Sequence, residues 1–365
     1  MNEGFPQKNK SENNYGKEPF ERDVAHEKVK GLANQFSSYY TSLGYQEHPA
    51  VKISSGIDPT VRFIGSHISV FKPEIMEGTI PVPGEYIVQD CIRTKNVRDL
   101  LNDTHFPHWG SSFVSLGVIT NYDRLDDVVG ESLDFFRKVL GIEEGNIRIR
   151  VSTKDTDLAS ASSKAVPSQL LELDTQADKY YQHQIGIEGV AGRSFNIALR
   201  DAVGDGFSDI GNIIILENAQ KKLGVEVALG SSTILKQMYG LKHVNDCYPV
   251  AGLNIENSGL KRKLEDSIIV SATLFREGLK PRATDNRDRI LRSYVRAMSY
   301  LRSKANMSID DLEKAIVQFE MRQFPGQENC VSTKIIDYLK SYEADLKMGK
   351  VSTKEDRTIA SVLME

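Results

Sequence analysis

The spacing of apolar and polar positions divides the chain into three stretches. Residues 1–22 carry almost no aliphatic side chains among their Asn, Lys, Glu, Gly and Ser. That is too little to offset the entropy of ordering, so they read as a flexible polar tail. Between 23 and 256 the periods mix. Helical spacing predicts helices over Glu27–Leu43, Leu125–Leu140 and Ser232–Tyr239, stopped by Gly44, Gly141 and Gly240. Short β-rich runs predict strands at Ala50–Ser54, Val61–Ile64, Ile68–Phe71, Tyr86–Ile92, Ser112–Ile119 and Ile147–Ser152. Further strands are predicted at Ser194–Arg200, Asn212–Glu217 and Val225–Ala228, whereas Lys154–Ser168 is small and polar and predicts a loop. From 257 to 365 the pattern is helical: Lys261–Arg276, Asn286–Ser303, Ile309–Gln323 (N-capped by Ser308) and Thr333–Lys347. Strands in runs, followed by helices, predict an α+β fold with a mostly antiparallel sheet and then an all-helical domain.

Composition narrows the class without naming a function. Hydrophobic residues make up 40% and charged residues 26% of 365, enough for a real core. The net charge of −4 excludes a chain that is basic as a whole, though not a local basic surface. No apolar run approaches the ~18–20 residues of a membrane span, so no membrane partner is expected. Three cysteines, Cys91, Cys247 and Cys330, are too scattered for a disulfide framework or a zinc cluster. The expected compartment is reducing and cytoplasmic.

Few residues stand out for their chemistry. Arg93 ends the run Tyr86–Ile92 and opens a polar loop, where its guanidinium fork suits a phosphate; a surface arginine at a strand end is the plain alternative. Gly186, Gly189 and Gly192 recur every third residue before a strand, without the lysine of a P-loop or the helix of a dinucleotide fingerprint. Asp205 and Asp209 precede a strand and fit either a cation site or a solvated turn. Glu226 between Val225 and Val227 fits either a buried amine-binding carboxylate or a solvent-facing strand position. The seven histidines show no paired metal spacing, and no nucleophile elbow occurs. Arg289, Arg292 and Arg296, with Arg287 beside them, fall on one helical face that fits either nucleic-acid phosphates or plain solvation.

In order, these segments resemble the N-terminal part of alanyl-tRNA synthetases, a class II family. The resemblance runs over roughly residues 30–305. It begins at Phe36-Ser-Ser-Tyr-Tyr-Thr-Ser-Leu-Gly44 and includes Asp58-Pro-Thr-Val-Arg-Phe63, Phe71-Lys72 and Gln89-Asp-Cys-Ile-Arg93. Ser112-Phe-Val-Ser-Leu-Gly117, Asp209-Ile-Gly-Asn212, Gly224-Val-Glu-Val-Ala-Leu-Gly230 and the helix Ala283–Met298 follow at similar spacings. The resemblance implies a class II synthetase-like sheet domain over 23–256 and a helical tRNA-recognition-like domain over 257–365. It implies ATP with Mg2+ as cofactor if the chain is catalytic, and no protein-bound zinc. Arg93 would then be the catalytic residue, binding ATP together with Lys72 and Gly230. Glu226, Asn212, His183, Gly189 and Gly192 would line the amino-acid site. Arg287, Arg289, Arg292 and Arg296 would meet the tRNA acceptor stem.

The departures are as specific. Gly230-Ser-Ser-Thr233 stands where the family has Gly-Leu-Glu-Arg, so the arginine for the ATP γ-phosphate is absent unless Arg193 or Arg200 replaces it. Val114 replaces the return-strand glutamate, and Gly211 and His183 stand in place of tryptophans. The family's editing and C-terminal domains have no counterpart, which implies a divergent paralogue. Two readings follow. One is ATP-dependent activation of a small amino acid as its adenylate, with transfer to tRNA or another acceptor. The other is a degenerate paralogue that binds tRNA or an amino acid as a regulatory or accessory protein.

Overall fold

The computed structural model describes residues 19–327 and 330–364. Most of the expected tail, 1–18, lies outside them. Its last residue does not fit a flexible tail: the Arg22 guanidinium donates to the carbonyl oxygens of Tyr248 and Asn245 and to Glu265 at 2.8 Å. Helix α1 (Ala25–Ser42) and the two-residue strand β1 (Gln46–Glu47) come first, followed by α2 (Ile68–Glu77). Then come β2 (Glu85–Ile92), β3 (Ser112–Thr120), α3 (Leu125–Asp134), β4 (Ile147–Val151), α4 (Thr156–Ala165), β5 (Leu171–Leu173) and β6 (Gln182–Gln184). The long strands β7 (Ala191–Arg200), β8 (Phe207–Glu217) and β9 (Lys222–Gly230) lead into α5 (Ser231–Tyr239). The rest is helical: α6 (Ser258–Arg276), α7 (Asn286–Lys304), α8 (Ile309–Gln323), α9 (Ser332–Lys347) and α10 (Lys354–Leu363).

The strands form one sheet in the order β1-β2-β3-β9-β8-β7-β4-β5, with β6 on β7. Among the described residues, only β1–β2 and β4–β5 pair in parallel. The fold is therefore α+β, a mostly antiparallel sheet flanked by helices and followed by a helical region, as the pattern predicts. Period-two alternation sorts each strand. On one face Leu116, Val118, Ile197, Ile213, Val225 and Val227 pack with α1, α3 and α5. The opposite face carries Ile87, Cys91, Ile119 and Ile214 under α2. Where α2 ends its cover, that face is open.

Four expectations fail. Residues 50–54 and 61–64 are turns and coil, and Ile68–Phe71 begins helix α2 rather than a strand. Ile68, Ser69, Val70 and Phe71 are all buried, so the segment shows no polar face to reveal its helical period. The stretch 154–168 holds α4 instead of a loop. Its small residues place Leu158, Ala161 and Ser162 on a buried side against α3. Helix α10 is also unforeseen; Thr353 caps it, and Asp356 closes a reciprocal capping box.

Candidate functional site

The open sheet face forms the floor of a cleft of about 420 Å³. Register fixes what meets there. Gly117 on β3 pairs with Ala228 on β9, Ala228 with Asn212 on β8, and Asn212 with Asn196 on β7. A bulge in the β7–β8 ladder inserts Ile210, which turns Asp209 onto the same face as Asn212. Asn212 Nδ2 donates to Asn196 Oδ1 at 2.7 Å, and Asn196 Nδ2 donates to Asp209 at 2.9 Å. Asp209 is also held by Arg150 Nη1 at 2.6 Å and by the Tyr180 hydroxyl.

Arg93 enters from the end of β2, on the alternation set by Ile87, Gln89 and Cys91. Its Nε donates to the Gly65 carbonyl oxygen at 2.8 Å, and its guanidinium lies 4.8 Å from the Phe113 ring centre. Among the described residues neither terminal nitrogen has a hydrogen-bond or carboxylate partner. Trp109, the single tryptophan, is 64% exposed at the mouth and also lines a second cleft of about 490 Å³ with Lys236, Lys242 and His108. Asp209 is the only carboxylate lining either cleft among the described residues. It is already committed, so the clefts offer no free carboxylate for Mg2+.

Below the floor lies a buried chain of polar contacts. His67, at the start of α2, places Nδ1 2.8 Å from Ser115 Oγ and Nε2 3.0 Å from Glu226 Oε1. His67 is fully buried, Glu226 is 2% exposed, and Ser115 alone of the three lines the cleft. The ring rests on Gly117, where an added Cβ would come within 2.2 Å of it.

No family model matches this sequence, and no curated protein matches it. Solved structures with partial likeness include the aspartyl tRNA synthetase from Entamoeba histolytica, 12% identical with a TM-score of 0.39 over 62% of this chain and 58% of that one. The chain thus spans less than two thirds of that enzyme. Another is the RNA binding domain of threonyl-tRNA synthetase from Cryptosporidium parvum Iowa II, 12% identical with a TM-score of 0.40 over 76% and 80%. A third is the histidyl-tRNA synthetase of S. aureus, 10% identical with a TM-score of 0.37 over 62% and 73%. None of these three is an alanyl enzyme. At TM-scores below 0.5, the cleft itself has to carry the functional reading.

Of the residues singled out by sequence, Arg93, Asn212 and Gly230 meet in the cleft. Glu226 does not line it, because His67 stands over its carboxylate. Lys72 is also elsewhere: its ammonium is 2.5 Å from the buried Asp58 and donates to Thr60 and the Gly186 carbonyl oxygen. His183 lies half-buried on β6, bonded to Ser194 Oγ at 2.8 Å. Burial pushes its imidazole below the usual histidine range, against the raising effect of Glu226. Gly189 sits in a turn at φ +74°, a conformation that favours glycine, with nothing near its Cβ position. Gly192 lets β6 approach, since a Cβ there would lie 2.8 Å from Ile214 and 3.1 Å from His183.

The arginines of α7 differ in their surroundings. Arg296 donates to Asp356 at 2.8 Å and lies over the Tyr342 ring, and Arg292 is close enough to Glu355 to act on its carboxyl. Arg287 is bonded to the carbonyl oxygens of Arg62 and Ser54, and Arg289 to that of Ala283. Of the four, Arg296 is ion-paired with Asp356, while Arg287 and Arg289 bond neutral oxygens. Arg193 and Arg200 do not line the cleft either. The first is bonded to Asp155, Asp157 and Glu217, the second to Asn146. Phe113, Trp109 and Asn196 were missed. Phe113 was legible, since it shares the strand face of Ser115 and Gly117 opposite Arg93.

Proposed function

We propose that the chain binds a nucleoside phosphate in the Arg93 cleft, as a synthetase-like binding protein that does not activate a free amino acid. The observation that carries the reading is Arg93: both terminal nitrogens have no partner among the described residues, in a cleft walled by Phe113 and Trp109. An arginine fork suits phosphate oxygens, and aromatic faces suit a base. The cleft's size falls within the usual range for small-ligand sites, roughly 300–1,000 Å³. Three features favour binding over activation. His67 stands where a substrate ammonium would meet Glu226 and, among the described residues, no second arginine reaches the cleft and no carboxylate is free for Mg2+. Alanine as substrate and the tRNA acceptor stem as partner gain no support from the site.

Trp109 serves as the reporter. Titration of the full chain with ATP and with AMP should change its fluorescence saturably, and Arg93→Ala should weaken affinity by about one to two orders of magnitude. Amino-acid-dependent ATP–pyrophosphate exchange should be absent with all twenty amino acids. Exchange with any of them would replace this reading by the activating one. A folded wild-type protein that binds neither nucleotide would remove it.

A further inference from the structure

At the end of β2 remote from Arg93, side chains from three segments converge. His48 follows β1, Glu74 lies near the end of α2, and Glu85 opens β2. One ligand atom from each lies within 4.8 Å of both others. Arg93 lies eight residue steps along from Glu85, about 26 Å at ~3.3 Å per residue. None of the three lines either cleft, so this cluster is independent of the nucleotide reading.

The histidine is held for one orientation. Its backbone N–H donates to the Tyr86 carbonyl oxygen at 2.8 Å, and its ring stands edge-on to Phe71 with centroids 5.4 Å apart. Nδ1 lies 3.0 Å from the Pro49 carbonyl oxygen. A carbonyl only accepts, so Nδ1 carries a proton and Nε2 turns toward Glu74 Oε1, 3.4 Å away. This is the usual arrangement of a metal-binding imidazole, with one nitrogen fixed by a carbonyl and the other presented to the ion.

The two glutamates are under-compensated. Oε2 of Glu74 and Oε2 of Glu85 are both buried and without a hydrogen-bond partner. Among the described residues, no lysine or arginine lies within ion-pair distance of either; only His48 faces Glu74. With both carboxylates ionised, the cluster carries a net negative charge whichever way the ring is protonated. Holding such a charge half-buried, with one oxygen of each glutamate shut off from water, carries a cost that a cation would relieve.

We propose that His48, Glu74 and Glu85 bind a divalent first-row cation of the Zn2+ type, which ties the short edge strand β1 to α2 and β2. One imidazole nitrogen and two carboxylates supply three ligands, leaving room for water in the fourth position. The site runs against the sequence expectation of no protein-bound zinc. The three residues are 26 and 11 positions apart, and no short motif joins them.

The test uses the chelator-treated full chain, dialysed against ZnCl2 and, separately, CoCl2. One Zn2+ should be retained per chain. Bound Co2+ should show visible absorption without thiolate charge-transfer bands. His48→Ala, Glu74→Gln and Glu85→Gln should each weaken Zn2+ binding at least tenfold, as even supporting contacts do by ~10–100-fold. Cys330→Ser, at the exposed cysteine, should leave it unchanged. Zn2+ should raise the thermal midpoint of the wild type but not that of Glu85→Gln. Failure of the wild type to retain stoichiometric Zn2+, or wild-type affinity in all three variants, would overturn the proposal. So would a Glu85→Gln variant more stable than the wild type combined with a wild-type midpoint unmoved by Zn2+, since a shared proton would then replace the metal.

Discussion

His67 is seated by what is missing beneath it. The imidazole lies flat over Gly117, and a methyl group there would come within 2.2–2.5 Å of three ring atoms. Gly117→Ala should therefore push His67 off Ser115 and Glu226 and lower stability by about 1–3 kcal/mol, the usual cost of overpacking a core. A urea midpoint that falls at an unchanged slope would register it; an unmoved midpoint would mean that the ring sits elsewhere. The same scale shows which site residues could be read from sequence. Arg93 stood out by its residue type at a strand end, whereas Asn212 and Gly230 were named only through the resemblance to alanyl-tRNA synthetases. The partner of Glu226 could not be read this way. His67 and Glu226 are 159 positions apart, and nothing local to either reports the other. Lys72 failed for the same reason, because Asp58 claims its charge through space.

Among elements, α10 shows how a helix is held by charge. Burial alone would raise the Asp356 carboxyl. Hydrogen bonds from Tyr342, Ser352 and Thr353, with the Arg296 guanidinium beside it, bring its pKa down to about 2. A carboxylate with a depressed folded-state pKa contributes stability above its unfolded value, near 4, and loses it as pH falls toward 2. The wild type should therefore lose stability between pH 4 and 2 more steeply than Asp356→Asn, while being the more stable of the two at pH 7. Urea unfolding of both proteins across that range measures the difference, and parallel profiles would count against the ion pair. The elements misread from sequence, α2 and α4, share a cause. Ile68–Phe71 is buried all round, and α4 is built of Ala and Ser, so neither displays the polar–apolar contrast that a period needs.

For the whole molecule, the boundary near 257 separates patterns more cleanly than it separates cores. The cluster under α6–α9 includes Ile53, Phe63, Ile92 and Leu100 from the sheet part. Asp266 on α6 reaches back, accepting from the Ser111 N–H at 2.7 Å, from its hydroxyl at 2.6 Å and from Asn96 at 3.0 Å. Burial raises the Asp266 carboxyl, and these bonds oppose the shift. Asn96 lines the Arg93 cleft, so α6 supports the site from behind. Residues 258–364 expressed alone should lack a cooperative thermal transition, whereas the full chain should unfold in one; circular dichroism distinguishes these outcomes. Two separate transitions in the full chain would show that the shared core contributes little.

The sequence by itself determined the α+β order, the long strands, most helices and the presence of an arginine at the end of β2. These follow from contacts within a few residues, where hydrophobic period, capping and turn chemistry act directly. It did not determine which charges are free. Among the described residues Arg93 keeps its fork unpaired, whereas Arg193 and Arg296, equally basic on paper, are paired by Asp157 and Asp356, and Arg200 bonds the Asn146 amide. Nor could it show that His48, Glu74 and Glu85 converge, or that a histidine stands over Glu226. Electrostatic and steric partnership depends on distance in space, and only the folded sheet brings those distant residues together.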